Sequence, residues 1–158
     1  MKLNHALAIV LGPVLAAACL PASSQTATDT FQVSITIADD CTIAAGDLDF
    51  GSHVSLTSAI DVDSLITVNC SIGTAYSVSL DQGVNGTRLM SDGSDTVDYD
   101  LYTSALRLVA WGTNVGVDTV GGVGDATDQT LTVYGRVPTQ TTPVPSVYVD
   151  SVMATVAF

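Results

Sequence analysis

From Phe31 to the carboxyl terminus, short runs in which apolar and polar residues alternate follow one another, broken by Gly, Asp, Asn and Pro. A two-residue period suits a strand with one buried face and cannot place a helix's apolar stripe on one side. The runs are rich in Val, Ile, Thr and Tyr, so the chain is expected to be all-β. In Phe31-Gln32-Val33-Ser34-Ile35-Thr36-Ile37, the residues Phe31, Val33, Ile35 and Ile37 share one face. Further strands are expected at 48–51, 65–70, 75–80, 97–102 paired with 106–111, 131–137 and 148–158. Asn85-Gly86 reads as a tight hairpin turn. Residues 116–128, rich in Gly, Asp and Thr, read as a long surface loop, and the segment Pro138 to Pro145 as a stiff connection. In the last run Tyr148, Val152, Ala154, Val156 and Phe158 share a face, so the terminus is expected to be packed.

The first residues set the compartment. Lys2 is followed by an apolar stretch, Ala6 to Ala18, too short to span a bilayer, which reads as a secretory signal. Ala22 and Ser24 suit a cleavage site, giving a signal peptide over 1–24 and a mature chain beginning at Gln25. A cut after Ala18, exposing Cys19 for lipidation, is the alternative. About 134 residues then remain, the size of one domain with its own core. No later stretch is long and apolar enough for a spanning helix, so stable membrane insertion is not expected.

Cys41 and Cys70 are the cysteines left after cleavage, and in an oxidising compartment they are expected to pair, two free buried thiols being the alternative. Closing that loop of roughly 30 residues is worth about 3–4 kcal/mol in a chain-entropy model. The mature chain sets sixteen aspartates, with no glutamate or lysine, against Arg88, Arg107 and Arg136. Such a surface repels nucleic acid and anionic lipid, so neither is an expected partner.

Chemistry finds little footing. His53 is the one histidine beyond the signal, without a partner motif, and reads as an exposed or turn residue. No serine lies in a Gly-x-Ser-x-Gly setting. Asp92, Asp95, Asp98 and Asp100, and again Asp118, Asp125 and Asp128, do not follow the spacing of a calcium loop. Trp111, Tyr99, Tyr102, Tyr134 and Tyr148 could form a sugar platform, but their alternating positions suit core and cross-strand packing. No catalytic residue, metal or cofactor is therefore expected, and the chain is not read as an enzyme.

Several words of the sequence, in order, resemble the spore coat protein U domain family, which includes the Csu-type pilins of archaic chaperone–usher pili. They are Cys41 with Phe50-Gly51, Val68-Asn69-Cys70, Tyr76, Arg88-Leu89-Met90, Tyr99-Asp100-Leu101-Tyr102, Trp111-Gly112, Val133-Tyr134-Gly135-Arg136-Val137 and Tyr148-Val149-Asp150-Ser151-Val152. A glycine that the family often places before the late tyrosine is replaced here by Pro145-Ser146-Val147. The resemblance implies an incomplete immunoglobulin-like β-sandwich, residues 41–158, completed by donor-strand exchange. It implies a donor segment within 25–40, carrying Phe31, Val33, Ile35 and Ile37, that inserts into a neighbour and builds a head-to-tail polymer. A periplasmic chaperone and an outer-membrane usher are the further partners it implies, with the cell-surface pilus as destination. The residues alone favour reading 31–37 as the first strand of its own sandwich; the resemblance reverses that preference. The other functions weighed are a secreted monomeric carbohydrate-binding or adhesin module and a spore or cell coat structural protein.

Overall fold

The computed structural model describes residues 23–158; the signal peptide expected over 1–24 falls almost wholly outside the described residues. The chain divides into two units, one ending at Thr36 and the other spanning Ile37–Phe158. In the first, the described residues belong to no helix or strand and are exposed.

The second unit is all-β among the described residues, with nine strands. They are β1 (Cys41–Ala45), β2 (Ile60–Cys70), β3 (Ala75–Leu80), β4 (Leu89–Ser91), β5 (Thr96–Asp98), β6 (Asp100–Tyr102), β7 (Val120–Val123), β8 (Gln129–Val137) and β9 (Ala154–Ala157). One antiparallel sheet has the order β1-β2-β8-β6, a second β7-β3-β9, and β4-β5 form a hairpin. Inward residues of the first sheet (Ile66, Val68, Val133, Val137) and of the second (Tyr76, Val78, Leu80) form one core with Val97, Tyr99, Leu101 and Trp111. This is a sandwich, each sheet burying one alternating face against the other. Cys41 lies opposite Cys70 in the β1–β2 register, and the two form the expected disulfide.

Several strand boundaries depart from the sequence reading. Residues 31–37 form no strand although their alternation is the most regular in the chain, because a strand also needs a ladder partner, and among the described residues none is paired with them. Residues 48–51 likewise leave the ladder after Gly46 donates to the Leu65 carbonyl. β2 begins at Ile60 rather than at Leu65, because Asp61 and Asp63 point outward to arginines. Arg136 grips Asp61 through two bonds of 2.7 Å, and Arg107 Nη2 reaches Asp63 at 2.9 Å.

The run 97–102 keeps its alternation but changes partner at Tyr99, from β4 in the hairpin to β8 in the first sheet. Residues 106–111 make one isolated bridge, Tyr102 with Ala110, and Arg107 at φ +51° turns the chain out of extended geometry. The expected loop at 116–128 contains β7, whose glycines let it lie close to β3. A side chain at Gly122 would strike the Tyr76 ring, and one at Gly121 would crowd the Tyr76 carbonyl. Asn85-Gly86 joins two different sheets instead of closing a hairpin. The terminal run pairs with β3 only from Ala154, with Phe158 exposed.

Candidate functional site

Two end strands define an opening in the sandwich. Among the described residues β1 and β9 each have a strand on one side only, and they neighbour one another across the two layers. Their outward N–H and C=O groups therefore form unpaired edges, a template for a further strand. Beside them lies a cleft of about 1160 Å³, lined by apolar side chains of both sheets and by polar ones of the neighbouring loops. Ile60, Ile66, Leu101, Val133 and Val137 line it from the first sheet, Leu80 and Ala154 from the second, and Val152 from the segment before β9. The segment after β1 forms one wall. Leu48 and Phe50 lean over β8 at Gly135, where a Cβ would come within 2.8 Å of Leu48 Cδ1 and 3.1 Å of Phe50 Cζ. Gly135 thus leaves the hollow they occupy.

Residues 148–152 form the other wall, and side chains hold it in place. Ser91 and Val149 exchange two backbone bonds. Asn85 Nδ2 donates to the carbonyls of Leu89 and Val149. Asp150 accepts from the Tyr99 hydroxyl at 2.7 Å and from the Asn85 amide at 3.2 Å. Its carboxylate sits where a Cβ at Gly83 would be, and Gly83 adopts φ +81°. Burial, then the bond to Asp150, raises the Tyr99 hydroxyl well above the ordinary tyrosine range.

Behind Tyr99 lies Arg88, only 5% exposed, donating through Nη2 to the Trp111 carbonyl at 2.9 Å and stacked 6.0 Å from the Tyr99 ring centre. Its Nη1 has no partner among the described residues. Neither the burial of Arg88 nor the clamping role of Asp150 follows from the sequence pattern, since both sit in short polar stretches that read as surface.

The candidate plug residues are conspicuous in their own right. Phe31, Val33, Ile35 and Ile37 are between 82% and 88% exposed. Four such side chains on one face exceed the scattered apolar residues of an ordinary surface. His53 is exposed, its Nε2 2.7 Å from the Phe50 carbonyl. Three of the aspartates singled out above serve their own loops, Asp92 accepting from the amides of Ser94 and Asp95, Asp118 from Asn114, and Asp125 from Thr127, while Asp128 accepts from Asn69 Nδ2 and Asp100 from the Tyr102 hydroxyl. Trp111 is 1% exposed and donates from Nε1 to the Val78 carbonyl, so it offers no platform to a ligand.

Comparison with known proteins agrees with this geometry. The model of the Spore Coat Protein U domain matches residues 27–155. Protein U of Myxococcus xanthus is 29% identical over 179 aligned residues, which span 98% of this chain and 99% of that protein. Among solved structures, the chain is similar to one in the CsuC–CsuE chaperone–tip adhesion subunit pre-assembly complex from archaic chaperone-usher Csu pili of Acinetobacter baumannii. The TM-score is 0.60 at 24% identity, covering 78% of this chain and 41% of that one. The likeness is one of fold, an immunoglobulin-like all-β sandwich.

Proposed function

This chain belongs to the Spore Coat Protein U domain family, and on that premise we propose that it is a structural subunit of a chaperone–usher surface pilus. Each subunit offers residues 31–37 as a strand to a neighbour and receives another neighbour's strand in its own cleft. The observation that carries this reading is complementarity: an apolar cleft flanked by the unpaired edges of β1 and β9, and an exposed apolar stripe with no ladder partner among the described residues. Strand addition fits both needs, since backbone bonds complete the edges and alternate side chains fill the hollow. Burying Phe31, Val33, Ile35 and Ile37 would contribute about 1.5–3 kcal/mol each, before ordering costs are subtracted.

The contact is heterologous and non-closing, so it propagates head to tail. An unfilled cleft exposes apolar surface and strand edges, which is the reason for a periplasmic chaperone before delivery to an outer-membrane usher. The resulting fibre would serve adhesion and biofilm formation. The family's description favours a second reading, a coat polymer assembled by the same exchange; electron microscopy of assembled material separates a thin fibre from a coat layer.

The test compares the mature chain, residues 25–158, with one lacking 25–37, each alone and with candidate chaperones, on unboiled gels. The account expects a ladder from the first and none from the second. A mature chain that stays monomeric and stable without any chaperone contradicts it.

A further inference from the structure

An arm attached to a domain with an open edge has a competitor for every neighbour, namely its own domain. Residues 31–37 and β1 are separated by Ala38, Asp39 and Asp40, a length common in hairpin loops, and the outer edge of β1 is free. Folding back would be intramolecular, with an effective concentration on the order of millimolar. Something at the junction has to oppose it.

The junction is held in a way that does so. The register that sets Cys41 against Cys70 continues one step upstream, to Asp40 against Ser71. The Ser71 amide donates to the Asp40 carbonyl at 2.9 Å, and the Asp40 amide donates to Ser71 Oγ at 3.1 Å. One residue earlier, Thr74 Oγ1 donates to Asp39 Oδ1 at 2.9 Å. Thr74 is only 5% exposed, and its backbone is fixed by bonds to Ser71 and Gly124, so its hydroxyl is a rigid anchor. These bonds keep residues 39 and 40 running straight on from β1. A hairpin would require the chain to reverse at this point and break them.

We propose that the grip of Ser71 and Thr74 on Asp39 and Asp40 is a latch against self-insertion. Closing on its own β1 edge would have to break these bonds, so the latch selects a neighbouring copy as recipient. The inference rests on the strand-donation reading and adds the positioning residues that decide between a closed monomer and a polymer.

The mature chain is refolded under oxidising conditions, and the ratio of closed monomer to polymer is read from unboiled gels and native mass. A closed monomer is recognised by its failure to bind a labelled peptide of residues 25–40. Asp39→Ala and Thr74→Val are each expected to raise that ratio about tenfold, the factor equivalent to one lost charge-assisted hydrogen bond. Asp39→Asn, which keeps an acceptor oxygen, should fall between. An unchanged ratio in Asp39→Ala overturns the latch; that side chain is exposed, so the variant decides even if Thr74→Val fails to fold. The chain lacking 25–37 is titrated with the same peptide. Uptake there leaves strand donation standing even if the latch falls, whereas no uptake overturns both.

Discussion

The two flanks of the sandwich are built from the same alternation and finish differently. On the flank of β6 and β7, the connection between these strands crosses from sheet to sheet and drops Trp111 into the core. The Trp111 amide donates to Leu101, its indole donates to Val78, and the Gly112 carbonyl accepts from Leu80. On the flank of β1 and β9, the walls lean over an apolar cleft whose bordering strand edges are unpaired. An apolar face needs a cover wherever it occurs. One flank has its cover in the adjacent stretch of chain; the account assigns the other a cover from a second molecule.

Trp111→Ala should have the largest effect, because it opens the closed flank. A loss of about 3–5 kcal/mol is expected, read as a lower denaturation midpoint that added donor peptide does not restore. Replacing Cys41 and Cys70 with serine should cost about 2–5 kcal/mol. That loss falls on the open flank, where β1 has a ladder on one side only, so bound donor peptide should recover part of it in the same assay. A smaller effect, about 1.5 kcal/mol, is expected of Tyr99→Phe, which strips Asp150 of a charge-assisted bond in the cleft wall.

The same tyrosine sets an alkaline limit. Its hydroxyl is raised by burial and by Asp150, so the folded state holds its proton more tightly than the unfolded state. The stabilisation is complete below the ordinary tyrosine value of about 10 and is lost as pH rises beyond it. Unfolding followed between pH 9 and 12 should show a decline that Tyr99→Phe flattens.

Asp61→Asn should matter least and should spare both flanks, since the group lies on the outer face of the first sheet. The hydrogen bond from Arg136 holds the Asp61 carboxyl below the usual carboxylate range. Its contribution is therefore present above the unfolded value of about 3.9 and disappears as pH falls through the lower folded value. Partial exposure limits the effect at neutral pH to less than about 1 kcal/mol. A denaturation series from pH 2 to 7 checks it.

How much of this was legible in the sequence follows from how local each signal is. Period-two alternation located β3 to the residue and β8 to within two, because inward Val and Leu residues face a buried layer along their length. The disulfide was readable from count and compartment. Alternation does not name a ladder partner, and so 31–37 carried the pattern of a strand without being one, while 97–102 hid a change of sheet at Tyr99. β7 escaped because its Val-Gly-Gly-Val looks like a loop until the Tyr76 ring that needs those glycines is placed over it. Of the candidate site, the apolar stripe was visible, but the cleft was not. Its lining is gathered from eight strands and the loops before β2 and β9, and the polar clamp of Asn85, Arg88, Tyr99 and Asp150 joins residues up to 65 positions apart.

The most direct test of the central claim is a thermal melt of the chain lacking residues 25–37, titrated with the peptide of residues 25–40. The account predicts that the wild-type peptide raises the melting temperature in a saturable manner and that the same peptide carrying Ile35→Asp does not. Equal stabilisation by both peptides, or by neither, would contradict it.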